Sequence, residues 1–230
     1  MCIKLYMEQY ICVLDFEATC WQGELSKHIQ EIIEFPSVLY KLNENGTVHY
    51  ISEFSSYVRP VCETVLSDFC TELTGITQDK VDSADPIEVV YAKHYSWLIE
   101  HTDPAIPIYI TTCGAWDLQT MLPKEVFNKK LPYYSVYKRF INVKTEFENV
   151  CKTKAYGMVG MLEHLNLTLD GRHHSGIDDT KNIAKIMLEI IAKGHTNFTI
   201  HYVVVKEKKS WKEKRTEKKH TTLLKKESTS

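Results

Sequence analysis

Apolar positions come in short runs along the first half of the chain and at helical spacing along the second. Residues 9–16 (QYICVLDF) are rich in Ile, Val, Tyr and Leu, which predicts a buried strand, central in its sheet. Residues 35–42 and 48–58 alternate and predict two more strands. Asn43-Glu-Asn-Gly46 between them has the chemistry of a hairpin turn, and Pro60 stops the third strand. Across residues 86–101, Ile87, Val90, Tyr91, Tyr95 and Leu98 repeat at helical spacing, with Pro86 at the helix start. Residues 106–112 predict a fourth strand, and residues 116–122, 144–151 and 157–164 predict helical stretches. A last helix is expected over 175–193, closed by Gly194, and residues 199–205 add a candidate strand. Beyond residue 206 the pattern dissolves into Lys, Glu, Ser and Thr, the composition of a disordered tail. Strands first, then strands alternating with helices, predict an α/β fold with a mixed sheet flanked by helices, as a single domain over 1–205 with a tail over 206–230.

The length of 230 residues agrees with one domain plus an extension. An apolar share of 43% and a charged share of 25% exclude wholesale disorder. No run approaches the ~20 apolar residues of a membrane-spanning helix. Glu8 and Gln9 interrupt the apolar opening, so no secretory signal is expected. The net charge of −2 hides an asymmetry: ten Lys/Arg face four Asp/Glu over 206–227, a local +6 against −8 on the first 205 residues. An acidic body of this kind does not grip nucleic acid by bulk charge alone. It suits carboxylates that hold divalent cations, and equally an acidic surface without further purpose. Cys2, Cys12, Cys20, Cys62, Cys70, Cys113 and Cys151 are odd in number and contain no C-x-x-C pair, which predicts reduced thiols in an intracellular setting, cytoplasm or nucleus. The N-x-T sequons at Asn45, Asn166 and Asn197 then carry no weight.

Three segments carry candidate chemistry. In Asp15-Phe16-Glu17, side chains two apart on a strand share a face, so the two carboxylates converge while Phe16 turns away. Paired carboxylates at the end of an apolar strand are costly unless compensated, and a hard dication with oxygen ligands compensates them. A lone D-x-E also fits a strand end emerging into solvent. Asp117 follows the fourth strand at a strand-to-helix junction, where ligand sites of open α/β sheets gather; an acid near a helix start is also ordinary. In Gly171-Arg-His-His-Ser-Gly-Ile-Asp-Asp179, His174 precedes Asp179 by five positions, poorly aligned on a helix at 3.6 residues per turn. The two converge only if His174 lies on the loop leading in, where a histidine titrating near neutrality suits a general base.

Taken in order, VLDFEATCW (13–21), QEIIEFPSVL (30–39), YVRP (57–60), LSDFCTELTGITQDKVD (66–82), TTCGAWDLQTMLP (111–123), FINVK (140–144) and GRHHSGIDDTKNIA (171–184) resemble the DEDDh 3′–5′ exonucleases of the ribonuclease H-like fold. Within that family the chain is most similar to the Eri-type exoribonucleases, over roughly residues 10–194. The resemblance implies metal-binding carboxylates at Asp15, Glu17, Asp117 and Asp179, with Glu17 also catalytic and His174 the general base. It implies Phe69, Trp116 and Ala18 at the terminal nucleotide, where aromatic stacking is worth about 1–3 kcal/mol per base. Core packing is the rival role for Phe69. Two Mg²⁺ ions (Mn²⁺ in their place) are the implied cofactors. RNA 3′ ends, single-stranded or overhanging, are the implied partners, with protein partners besides and no membrane. His173 stands where close relatives carry Pro, which creates a second His-x-x-x-x-Asp register with Asp178; the family motif aligns His174 with Asp179. Ala115 replaces the Asp or Ser common before the Trp. RNA rather than DNA rests on the resemblance. The rival readings are a deoxyribonuclease of the same family and a catalytically silent RNA-binding or scaffolding module on the same fold.

Overall fold

A computed structural model describes residues 7–23 and 27–204. Its strands are β1 (Gln9–Leu14), β2 (Glu17–Ala18), β3 (Ile32–Leu42), β4 (Val48–Tyr57), β5 (Ile108–Thr112), β6 (Arg139–Asn142) and β7 (Ile200–Tyr202). Its helices are α1 (Asp68–Thr74), α2 (Gln78–Asp82), α3 (Ile87–Glu100), α4 (Leu122–Asn128), α5 (Val143–Cys151), α6 (Met158–His164) and α7 (Gly176–Ala192), with a π-helical turn over Asp117–Met121. The sheet runs β2-β3-β1-β5-β6-β7, and β4 pairs with β3. Pairing is antiparallel between β1 and β3 and between β3 and β4, parallel from β1 to β5 to β6, and antiparallel again at β7. This is the expected mixed sheet flanked by helices.

β1 is buried along its whole length because both faces of the sheet are covered. Tyr10, Cys12 and Leu14 face one apolar cluster with Phe35, Leu39, Tyr91, Leu98 and Ile110. Ile11 and Val13 face another, built with Phe147 of α5, Met161 of α6 and Ile183, Met187 and Ile190 of α7. The hairpin expected at Asn43–Gly46 closes β3 on β4, with Leu42 opposite Val48 and the Gly46 N–H donating to the Asn43 carbonyl (2.9 Å).

Several boundaries differ from the sequence pattern. The first strand ends at Leu14 rather than Phe16, because the Phe16 N–H donates to Asp117 Oδ1 (3.0 Å) and is lost to the ladder. The chain then rejoins the same edge of β3 as β2, with Glu17 opposite Glu34. The stretch expected to be helical over 116–122 is the π-helical turn, continued as α4. The short α1, α2 and β6 escaped the pattern, since four to seven residues hold too little periodicity to read. The predicted tail over 206–230 lies outside the described residues. Among the described residues no helix is long and apolar enough to cross a membrane, and Cys12, Cys20, Cys62, Cys70, Cys113 and Cys151 are free thiols.

Candidate active site

The break between β1 and β2 sets Asp15 and Glu17 at the end of the central strand, both half-buried. Asp179 comes from the first turn of α7, 3% exposed, and its carboxylate lies with those of Asp15 and Glu17 in a group whose ligand oxygens are all within 4.8 Å of one another. Asp117, 4% exposed, opens the π-helical turn after β5, and its bond to the Phe16 N–H ties that turn to the break. Four carboxylates from three distant segments of the chain therefore meet in one place. Burial, followed by the charges of Asp117, Glu17, Asp179 and Glu34, holds the Asp15 carboxyl well above its ordinary range. Burial and the charges of Asp179 and Glu34 push Glu17 up to about 8. Burial pushes Asp117 up to about 6, against the Phe16 N–H and the Lys144 ammonium, which favour its charged form. Desolvated carboxylates that repel one another are what a hard dication with oxygen ligands relieves, so this donor set fits Mg²⁺ or Mn²⁺.

The approach to α7 supplies the histidines. His174 has a left-handed backbone (φ 65°), which turns the chain into the helix. Its own N–H donates to Asp179 Oδ2 (2.9 Å), while it is the ring of His173 that meets Asp179, with Nδ1 3.1 and 3.2 Å from the two carboxylate oxygens. The two imidazoles stack with centroids 3.9 Å apart and planes at 18°. The alternative register of His173 with Asp178 is not used this way: Asp178 accepts the Arg172 N–H at 3.0 Å. Burial and the neighbouring His173 hold the His174 pKa below its ordinary 6.5, so its imidazole is neutral and able to accept a proton at pH 7. Ala18 is buried in β2 beside Glu17, Trp116 is 39% exposed beside Asp117, and Phe69 is half-buried on α1. The next residue of α1, Cys70, brings Sγ to 3.9 Å from the Ala18 carbonyl, so α1 borders the site through its third residue.

Three supporting residues were not singled out from sequence. Glu34, buried in β3, accepts the N–H groups of Gly176 (3.1 Å) and Ile177 (3.3 Å) and so caps α7, whose Ser175 makes no side-chain cap. Gly176 must lack a side chain there, because a Cβ would sit 2.9 Å from Glu34 Oε2 and 3.0 Å from Pro36 Cγ. Arg172 donates to the carbonyls of Glu72 and Leu73, tying the histidine loop to the end of α1. The space it fills is left open by Gly75 (φ 72°), whose Cβ would overlap the guanidinium. Lys144, early in α5, is the cation whose charge reaches Asp117. An acid inside the apolar run IIEFP was the legible signal for Glu34; Arg172 and Lys144 had none.

Residues 12–187 match the Exonuclease (RNase_T) family. The chain belongs to this family. It is 40% identical over 188 residues to the human protein named 3′-5′ exoribonuclease 1, covering 80% of this chain and 53% of that one. It is 42% identical over 189 residues to mouse ERI1 exoribonuclease 3, covering 80% and 54%. The chain thus spans about half the length of the curated relatives it matches. Among solved structures, the nuclease domain of 3′hExo, a DEDDh family member bound to rAMP, superposes with a TM-score of 0.78 at 38% identity, covering 86% of this chain and 98% of that one. The family resemblance read from the motifs is therefore matched in sequence and in fold.

Proposed function

We propose that this chain is a 3′–5′ exoribonuclease that releases nucleoside 5′-monophosphates from RNA 3′ ends, acting inside the cell, in cytoplasm or nucleus. The observation that carries the reading is the meeting of Asp15 and Glu17 at the β1–β2 break with Asp117 of the π-helical turn and Asp179 of α7, with two histidines beside the last. Asp15, Glu17, Asp117 and Asp179 are assigned to hold two Mg²⁺ ions, with Mn²⁺ able to replace them. When bound, these ions supply activation of the attacking water and charge stabilisation at the leaving 3′-oxygen. His174, held neutral, takes the proton of the attacking water. Asp179 is kept in place by the His174 N–H and the His173 ring. Trp116, Phe69 and Ala18 receive the terminal nucleotide, the two aromatic rings by stacking on bases of any sequence.

RNA as the substrate is supported by the name of the human relative, 3′-5′ exoribonuclease 1, and by the rAMP bound to the 3′hExo domain. The catalytic unit is residues 1–205, with 206–230 an extension dispensable for chemistry. Incubation with 5′-labelled RNA and DNA oligonucleotides of one sequence, with Mg²⁺, with Mn²⁺ or with EDTA, tests all of this together. A ladder shortening from the 3′ end of RNA, abolished by EDTA, is the expected result. A faster ladder on DNA would make the chain a deoxyribonuclease, and binding without any ladder would make it a silent RNA-binding module.

A further inference from the structure

The two stacked imidazoles give Asp179 a second set of neighbours that the exonuclease chemistry does not require. Successive side chains of an extended chain point to opposite sides. The left-handed turn at His174 instead lays the rings of His173 and His174 against each other, 3.9 Å between centroids. One nitrogen of each ring and one oxygen of Asp179 lie within 4.8 Å of one another. His173 Nδ1 stands 3.1 and 3.2 Å from the Asp179 oxygens. Two ligands on a tetrahedral ion with bonds of 2.0–2.1 Å are separated by about 3.3 Å, so this pair already has the spacing. Asp179 is buried while the His173 side chain is 41% exposed, which combines one anionic anchor with imidazole reachable from solvent. The His174 N–H donates to Asp179 Oδ2 (2.9 Å), a hydrogen bond of the kind that orients metal-binding carboxylates.

We propose that His173, His174 and Asp179 form a site for a borderline-soft divalent cation of the Zn²⁺ class, fused to the carboxylate centre through Asp179, and that its occupation silences the nuclease. Two nitrogens and one oxygen suit Zn²⁺, Co²⁺ or Ni²⁺ and are a poor set for Mg²⁺, which prefers oxygen alone. Three protein ligands leave a position for water. Silencing has two causes. Asp179 oxygens bound to this ion are withdrawn from the carboxylate centre, and a His174 nitrogen bound to it has no lone pair left to accept a proton. The silencing half rests on the functional reading above; the binding half does not.

The test uses the full-length chain, titrated with Zn²⁺ by calorimetry and with Co²⁺ by visible absorption, as wild type, His173→Ala, His173→Gln and His174→Ala. Wild type is expected to bind Zn²⁺ at least 10–100-fold more tightly than each variant (roughly the cost of disturbing a metal's immediate surroundings) and to give the intense Co²⁺ bands of a four-coordinate, nitrogen-containing site. In Mg²⁺-dependent RNA cleavage, each protein compared with its own zinc-free rate, the Zn²⁺ needed for half inhibition should rise with Mg²⁺ and rise again in the His173 variants. Equal Zn²⁺ affinity in all four proteins would put the ion on the carboxylates alone and overturn the site. Zn²⁺ that supports turnover in place of Mg²⁺ would overturn the silencing. Histidine-dependent Zn²⁺ binding without RNA cleavage would remove the exonuclease reading and leave the site standing.

Discussion

His173 and His174 divide a task that either could perform by chemistry alone. The ring of His173 is the one bonded to Asp179, whereas His174 gives Asp179 its backbone and keeps a neutral imidazole. His174→Ala is therefore expected to lower kcat by about 10²–10⁴, the general-base range. His173→Ala should lower it by roughly 10–100-fold, the range for a side chain that orients a ligand. Single-turnover rates on a short RNA decide between them, and the reverse order would move the base to His173. The sign of the pH dependence follows from the same site. A base works deprotonated, and burial beside a second histidine holds His174 below 6.5, so the acid limb of kcat should fall below pH 6.5 and vanish in His174→Ala. A limb centred above 6.5 would point to a different group.

At the scale of elements, α7 carries Asp179 but is not capped by its own sequence. Its first N–H groups go to Glu34, a residue 142 positions earlier than Gly176, at the cost of another buried acid near Asp15 and Glu17. Burial first, and the charge of Asp178 after it, raise the Glu34 carboxyl, while the two helix N–H groups oppose them. Glu34→Ala should orphan those donors, costing about 1–3 kcal/mol, and weaken activation by Mn²⁺ as Asp179 loses its footing. Glu34→Gln keeps an acceptor and removes a charge, so it should restore most of both. Thermal melts together with Mn²⁺ titration by electron paramagnetic resonance check this, and a Gln variant as poor as Ala would mean that the charge, not the cap, matters. The same logic explains why Arg172 and Gly75 belong together: the side chain of one occupies the space vacated by the other, and the histidine loop is tied to the helix of Phe69.

Across the whole molecule, His94 sets an acid limit on the fold. It is fully buried between Tyr137 Oη (2.6 Å) and Ser37 Oγ (2.8 Å), and burial lowers its pKa to about 3. The unfolded chain protonates this histidine near 6.5 and the folded chain does not, so stability is full above 6.5 and is lost as pH falls towards 3. The whole effect is on the order of several kcal/mol, at ~1.4 kcal/mol per pH unit. The raised acids Asp15, Glu17 and Asp117 act in the opposite direction, so urea unfolding at pH 7.5 and 5 is compared between wild type and His94→Gln, and the wild type should lose more stability (or gain less) on acidification than the variant. The charge asymmetry of the chain gives a second global prediction. Truncation after residue 205 removes a local +6, which should leave cleavage of a short oligonucleotide nearly unchanged. Affinity for long RNA should fall, with a shallower salt slope because fewer phosphate counterions are displaced. Identical slopes would mean that the extension does not touch RNA.

Local pattern was enough for the parts of the fold whose physics is local. The β3–β4 hairpin is written in Asn43–Gly46, α3 and α7 in their apolar spacing, and the central place of β1 in a run with no polar face. The candidate site was legible only through the family resemblance, because Asp15 and Glu17 at a strand end, Asp117 near a helix start and a histidine on a loop each also fit an ordinary structural role. What no local pattern contains is who meets whom. The first strand stops at Leu14 because Asp117 takes the Phe16 N–H, α7 begins where Glu34 can cap it, and the ring on Asp179 is that of His173 because His174 turns left-handed. The first two are hydrogen bonds across 101 and 142 positions that exist only once distant segments are packed, so the tertiary structure decided them; the third is a turn within one loop, which apolar periodicity does not record.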